Sequence, residues 1–498
     1  MAKSEAESGT RGSLMEKVPT GIAAFDELTL GGLPRGRATL VGGTPGSGKT
    51  VFATQFLAHG ITACNENGVF VTFEESPRDI EINMQGFGWD LAKWRDEGRL
   101  AFVDVSPPSD DHMVIGEFDL GGLLARIAHA VASVGAKRVV VDSIAQLFDH
   151  FIDEELPLRR ELFRVSTALK KIGLAVLMTA ERDREYGDIS RHRIEEFVAD
   201  NVIVMRNVLH DEKRRRTIEV LKLRGSNHIK GEAPFTMVPG EGIVATPLSS
   251  LRLEQKSSTV RITSGNPELD EMCGGGFFRD SVTLVSGATG TGKTLLVTNF
   301  LAGGIEAGER ALLFGFEESR GQLFRNALGW GIDFEAMERA GKLKLVCMYP
   351  ETQDLQAHLL MIQRLVDEHK PTRIAIDSLS ALERVSSETG FREFLINLTS
   401  FIKKNEIAGL YSATSTSLTG GQSVSEQHIS TLTDSIILLR YIQRQQTMHR
   451  GLIVLKMRGS EHAKEIRQFT IDNTGMHLGH ALDGTPAVLG EGSVGDEA

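Results

Sequence analysis

A chain of 498 residues is too long for one ordinary hydrophobic core and calls for roughly two to four domains. Its 41% hydrophobic and 24% charged residues describe a soluble globular protein, expected in the cytoplasm, and no apolar run approaches the ~18 residues of a membrane span. A formal charge of -11 disfavours nucleic acid as a partner, and Cys64, Cys273 and Cys347 lie too far apart for a metal or disulfide framework and read as small buried apolar residues.

Residues 1–15 are polar, lack the apolar stretch of a secretion signal and read as a flexible N-terminus. A first domain is expected over 16–246, where short apolar runs at Ala38 to Val41, Val69 to Phe73, Val139 to Val141 and Leu174 to Met178 alternate with helical patterns at Leu124 to Val134 and Leu158 to Leu169. Strands apolar on both faces and separated by helices define a doubly wound α/β fold with a mostly parallel sheet. Its first strand leads into "GTPGSGKT" (43–50), which satisfies GxxxxGK[ST] between a strand and a helix. Gly46 and Gly48 let backbone N–H groups curl around phosphates, Lys49 neutralises the β and γ phosphates, and Thr50 offers a hydroxyl to Mg²⁺, so ATP and Mg²⁺ are the expected ligands. Glu74 and Glu75 close the next strand, where one carboxylate can orient an attacking oxygen and take its proton. Side chains alternate along a strand, so spacing alone leaves open which of the two does so. Asp142 ends a strand expected beside the phosphate loop, where it can hold a metal-bound water. After Asp200 the pattern becomes strand, polar turn, strand, an antiparallel edge hairpin.

A Ser- and Gln-containing linker is expected over 247–260, and then the chain repeats itself. A second domain over 261–480 carries "GATGTGKT" (287–294), Glu317 and Glu318 in a second "FEES", Asp377 closing "IAID", and "LKMRGSEH" (455–462) against "LKLRGSNH" (221–228). The offset between copies slides only from 244 at the first landmark to 234 at the last, so the copies differ by short loop changes. Lys293 and Thr294 take the places of Lys49 and Thr50. Aligning Asp200 with Asp434 sets "EEFVAD" (195–200) against "ISTLTD" (429–434), so Ser430 and Thr431 stand where the first copy has Glu196 and Phe197. Only the second copy therefore offers phosphoryl-accepting hydroxyls there; a structural pair, capping a turn or pairing across strands, is the alternative. Residues 481–498 read as a flexible tail.

The twin phosphate loops, the twin Glu pairs, "LDEMCGGGFF" (269–278), "RIAIDSLSAL" (373–382), "LKMRGSEH" and "HISTLTD" (428–434) together resemble the KaiC family, the double-domain RecA-like ATPases and autokinases of the cyanobacterial circadian clock. The resemblance covers nearly the whole chain. It implies two tandem RecA-like domains in a homohexamer, with nucleotides between neighbouring subunits. The first would be an ATPase that holds the ring together. The second would phosphorylate and later dephosphorylate Ser430 and Thr431 across the interface. It makes Glu318 the base for phosphotransfer, Glu317 a metal and nucleotide contact, and Glu75, beside Glu74, the water-activating counterpart. It extends the ATP contacts along the loops to Ser47 and Val51, and to Thr289, Gly290, Thr291, Gly292 and Leu295, and assigns Trp330 to stacking near the adenine, with a core tryptophan as the alternative. Arg450, Lys456, Met457, Arg458, Ser460, His462 and Lys464 become nucleotide contacts from the adjoining subunit. Lys222, Leu223, Arg224, Ser226 and His228 are their counterparts, and Arg216 matches Arg450. The chain ends 36 residues after His462 in a Gly-rich stretch, shorter than the tail that the clock's stimulating partner KaiA captures. A KaiA-type partner is therefore not expected, whereas a KaiB-like or other signalling protein is. Two other readings share this fold: an ATPase scaffold acting by protein binding alone, and a RecA-like DNA motor using "EKRRRT" (212–217), a cluster without the interleaved aromatics that strand binding uses.

Overall fold

The computed structural model describes residues 15–105, 120–144, 164, 167–168, 173–187, 199–210, 213–246, 257–415, 429–444 and 447–481. Of the helix expected at Leu158 to Leu169, only residues 164, 167 and 168 are described, and these are helical. Glu196, Phe197 and the two terminal segments 1–14 and 482–498 lie outside the described residues. The chain divides into two compact units, Met1–Ser250 and Leu251–Ala498.

The first unit opens with a two-stranded ribbon, β1 (Lys17–Val18) against β2 (Leu33–Pro34). Its nine-stranded sheet contains β3 (Ala38–Gly43), β4 (Gly68–Thr72), β5 (Leu100–Asp104), β6 (Arg138–Asp142), β7 (Ala175–Glu181), β8 (Asn201–His210), β9 (Lys213–Leu223), β10 (Glu232–Val238) and β11 (Gly242–Ala245). Read from one edge, the order is β5-β4-β6-β7-β3-β8-β9-β10-β11. The strands from β5 to β8 run parallel and the rest antiparallel. In the second unit the ribbon is β12 (Arg261–Ile262) with β13 (Phe277–Phe278). Its sheet contains β14 (Val282–Gly287), β15 (Ala311–Gly315), β16 (Leu343–Cys347), β17 (Arg373–Asp377), β18 (Ala408–Thr414), β19 (Ser435–Arg444), β20 (Thr447–Met457), β21 (Arg467–Asp472) and β22 (Gly475–Ala481). The order β16-β15-β17-β18-β14-β19-β20-β21-β22 matches the first sheet strand for strand.

Both expected hairpins form, β8 with β9 and β19 with β20, but β8 and β19 enter the sheet in parallel beside β3 and β14. Beyond the hairpins, one outer edge of each sheet is made by β10–β11 and β21–β22, which the sequence reading did not separate from them. The aspartate strands also sit one place further out than expected. β7 separates β6 from β3, and β18 separates β17 from β14, because the chain crosses over before returning to the phosphate-loop strand.

Every residue of β3, β4, β14 and β15 is buried, which is why those runs carry no alternation. On one face of the first sheet the helix Lys49–Ala63 buries Phe52, Phe56 and Ile61; on the other, the helix Leu120–Val134 buries Leu123 and Ile127. Each such aromatic or branched side chain removed from water contributes about 1.5–3 kcal/mol. No helix among the described residues is long and apolar enough to cross a membrane.

Candidate active site

Each phosphate loop turns from a buried strand into a helix through a left-handed glycine. Gly48 has φ +96°, and a Cβ there would strike the Met237 methyl of β10; Gly292 has φ +109°, with a Cβ position 2.9 Å from Ile471 of β21. A side chain is thus excluded by backbone conformation and by the strand packed over the loop. The Lys49 ammonium donates to the carbonyls of Gly43 (2.9 Å) and Thr44 (3.2 Å), and Lys293 does the same to Gly287 (2.8 Å) and Ala288 (3.0 Å). Burial lowers the pKa of both lysines, while nearby carboxylates oppose it: Glu181, Asp142, Glu74 and Glu185 around Lys49, Asp377 and Glu317 around Lys293.

The aspartates reach the loops although their strands are not adjacent to the loop strands. Thr294 Oγ1 donates to Asp377 Oδ2 at 2.8 Å, and Ser412, on the intervening β18, donates to Oδ1. In the first copy Thr179 on β7 plays the part of Ser412 toward Asp142. These bridging hydroxyls escaped the sequence reading because Thr and Ser in an apolar run resemble ordinary strand residues. Burial pushes the Asp377 carboxyl up, against the two hydroxyl bonds. A hydroxyl beside a carboxylate is the hard oxygen set that suits Mg²⁺, which takes few protein ligands and completes its shell with phosphate and water. No cluster of three or more His, Cys, Asp or Glu that could hold a metal ion forms among the described residues.

Backbone pairing puts the glutamates next to this set. Gly315 is registered with Asp377, and Phe316 N–H donates to the Asp377 carbonyl at 2.8 Å, so Glu317 and Glu318 emerge directly beyond it. Thr72 is registered with Asp142 in the same way ahead of Glu74 and Glu75. Glu317 pairs with Arg384 at 3.0 Å, a partner outside the motif. Burial, then the Asp377 charge, raises the Glu318 pKa, against a hydrogen bond from Asn326. Trp330 is half-buried against the core beside the β21–β22 edge; its counterpart Trp89 lies where a Cβ on Gly242 would stand 2.6 Å from its ring. "FGWD" against "LGWG" was the signal for Trp89.

The remaining residues fall at two opposite ends of each sheet. Arg450 donates to Gly290 of its own chain's loop at 3.3 Å, and Arg216 to Gly46 at 3.4 Å, so these two belong to the loop end. Ser435 is registered with Thr283 near the start of β14, whereas the phosphate loop begins at Gly287, registered with Leu439. Four residues of strand separate those levels, about 13 Å at ~3.3 Å each. Ser430, half-buried, and Thr431, exposed, occupy a helical turn ahead of β19, at the end away from the loop. Cations at the end of β20 and just beyond it hold that turn: Lys456 Nζ donates to the carbonyls of Ser430 and Thr433, both at 2.7 Å, and Arg458 donates to the Thr431 carbonyl at 2.8 Å. Asp434 anchors the turn to β14 through Val282 N–H (2.9 Å) and to Lys403 (2.8 Å). Met457, Ser460, His462 and Lys464 follow at this same end, as Leu223, Ser226 and His228 do around Lys222 and Arg224 in the first unit.

A buried arginine in each unit also escaped the sequence reading, since one Arg ahead of an apolar run resembles a solvated strand start. Arg373 donates to the carbonyls of Thr263 and Phe300 (both 2.7 Å) and pairs with Glu309 at 2.5 Å; Arg138 repeats this with Pro19, Phe56 and Glu66. A Cβ on Gly304 or Gly60 would occupy the guanidinium's place. The arginines therefore tie the aspartate strand to the far part of the phosphate-loop helix.

Two Gly-rich phosphate loops, each with its lysine and an aspartate from the next strand but one, in sheets of identical order, define a tandem RecA-like P-loop ATPase. The family model "ATPase: KaiC" matches residues 18–250 and again 262–482. The circadian clock protein KaiC3 of Synechocystis sp. is 59% identical over 476 residues, 95% of this chain and 94% of the relative. The circadian clock oscillator proteins KaiC of Synechococcus elongatus and Thermostichus vulcanus are 53% and 52% identical, over 92% and 93% of this chain and 88% and 89% of theirs. The chain belongs to the KaiC family, and is accordingly a nucleotide-binding, ATP-hydrolysing enzyme.

Proposed function

We propose that this chain is a homohexameric ATPase and Ser/Thr autokinase that phosphorylates Ser430 and Thr431 across subunit interfaces and signals through its phosphorylation state. The observation that carries the reading is the register of β19 on β14: the hydroxyls stand at the opposite end of the sheet from their own chain's phosphate loop. A subunit cannot phosphorylate itself over that distance. A ring in which one subunit's loop end faces its neighbour's Lys456–Arg458 end brings acceptor and triphosphate together, and gives those cations a phosphate to bind.

In the second copy, Glu318 accepts the proton of the acceptor hydroxyl as its oxygen bonds to the γ-phosphorus. The bond from that phosphorus to the β,γ-bridging oxygen breaks, and ADP leaves. In the first copy Glu75 accepts a proton from water in the corresponding step, which yields ADP and phosphate. Thr294, Asp377 and Glu317, and Thr50 and Asp142 in the first copy, would hold Mg²⁺, which when bound offsets the charge of the phosphate oxygens. Lys49 and Lys293 bind the triphosphate tails. Trp330 lies against the adenine. The clock names of the relatives support a signalling output through a KaiB-like or other protein partner. The DNA-motor reading loses ground because Arg214 and Arg216 of the basic cluster donate to carbonyls of their own chain, those of Asn207 and Gly46.

Incubation with Mg-ATP followed by phosphosite mass spectrometry tests the proposal. Phosphate is expected on Ser430 and Thr431, none on the first copy, and none on Ser430→Ala/Thr431→Ala. Sustained ATP hydrolysis without incorporated phosphate would instead identify an ATPase scaffold.

A further inference from the structure

Both copies hold the second glutamate of the pair by a contact outside every motif. Glu75 and Glu318 stand directly before serine helix caps, and the helices Pro77–Gln85 and Arg320–Gly329 begin one residue later. The Ser76 hydroxyl accepts from Asp79 N–H at 3.2 Å; Ser319 and Gln322 form a reciprocal capping box. These caps fix the start of each helix relative to the carboxylate before it. The seventh residue of each helix is an asparagine, and its side chain turns back onto that carboxylate. Asn83 Nδ2 donates to Glu75 Oε2 at 3.1 Å, and Asn326 Nδ2 donates to Glu318 Oε2 at 2.8 Å.

A glutamate carboxylate otherwise rotates about a soft terminal torsion. One donor on one oxygen sets the plane of the group and leaves the other oxygen to accept a proton. Among the described residues, no other hydrogen-bond donor reaches the side-chain oxygens of Glu75 or Glu318. A cap fixed at the same place, an amide at the same spacing and a single carboxylate oxygen engaged recur in two copies whose helices otherwise differ, as "PRDIEINMQ" and "RGQLFRNALG". Packing of those helices does not require the amide, since Asn83 is exposed and Asn326 half-buried.

We propose that Asn326 and Asn83 are positioning residues that orient the carboxylates of Glu318 and Glu75 for proton acceptance. This rests on the reading of those glutamates as the bases. Asn326→Ala is expected to slow single-turnover incorporation of phosphate from Mg-ATP about tenfold or more, the worth of a hydrogen bond to a charged group, with ATP affinity unchanged. Asn326→Asp, which keeps the size and removes the donor, should fall at least as far. In a Glu318→Gln background, Asn326→Ala should change the residual rate less than about twofold, because its effect passes through the carboxylate. Wild-type rates in both asparagine variants, or the same fold-loss with and without Glu318, would overturn the proposal. Glu318→Gln labelling at full rate would overturn the base assignment itself, a separable result. Should the Asn326 variants misfold, Asn83→Ala repeats the test in the first copy: hydrolysis should fall about tenfold alone and hardly at all beyond Glu75→Gln, and unchanged or additive rates would overturn the proposal.

Discussion

Replacing Arg373 by Met removes a charge that is only 1% exposed while keeping most of its aliphatic volume. The variant loses two hydrogen bonds of 2.7 Å, to the Thr263 and Phe300 carbonyls, and the 2.5 Å pair with Glu309. It also loses the guanidinium's place over the Phe300 ring, 4.8 Å from the centroid. Breaking a buried pair from one side costs about 3–5 kcal/mol, much of it from groups left unsatisfied. Glu309 is 13% exposed and keeps Arg279 at 3.0 Å, so its charge is not stranded and the lower end, about 3 kcal/mol, applies. Trp330 is the only tryptophan of the second copy, so Trp89→Phe/Trp94→Phe protein reports that unit alone by fluorescence. In urea, with a slope of roughly 2–3 kcal/mol per molar, the midpoint of the second unit should drop by about 1 M or more. A loss below about 1 kcal/mol would show that the arginine is not the tie between the aspartate strand and the phosphate-loop helix.

The two lysines should separate the roles of the copies. Lys49→Ala weakens triphosphate binding in the first copy, so light scattering should find species smaller than the ATP-bound hexamer; an unchanged hexamer with nucleotide verified absent from that site would refute this. Lys293→Ala should leave the hexamer in place and abolish labelling of Ser430 and Thr431, and a ring that labels normally would refute it.

What the sequence made legible was local. The phosphate loops, the Glu pairs and the aspartates each sit within a few residues of a buried strand, so spacing along the chain is spacing in space. The parallel core was visible because β3, β4, β14 and β15 are buried on both faces and carry no polar alternation. Strand order was not visible. Nothing in the spacing of "VVVD" or "IAID" says that β7 or β18 intervenes before the loop strand, or that Thr179 and Ser412 then bridge the gap. Arg138, Arg373, Asn83 and Asn326 were hidden for a related reason. Their partners are distant in sequence or lie around a helix, and a single Arg or Asn has no pattern of its own. The placement of Ser430 and Thr431 at the far end of the sheet follows only from the register of β19 on β14, which the hydrophobic pattern of an all-apolar run does not specify.

That placement makes the central claim directly measurable by mixing two variants that are each defective alone. Ser430→Ala/Thr431→Ala keeps the base and lacks the acceptors; Glu318→Gln keeps the acceptors and lacks the base. The two are co-assembled with Mg-ATP, with their masses made distinguishable, and phosphate is mapped on each. Transfer between subunits predicts that Ser430→Ala/Thr431→Ala alone stays unlabelled and Glu318→Gln alone labels only at its slow residual rate, while the mixture carries phosphate much faster on Ser430 and Thr431 of the Glu318→Gln chains. A mixed ring that labels no faster than Glu318→Gln alone would contradict it.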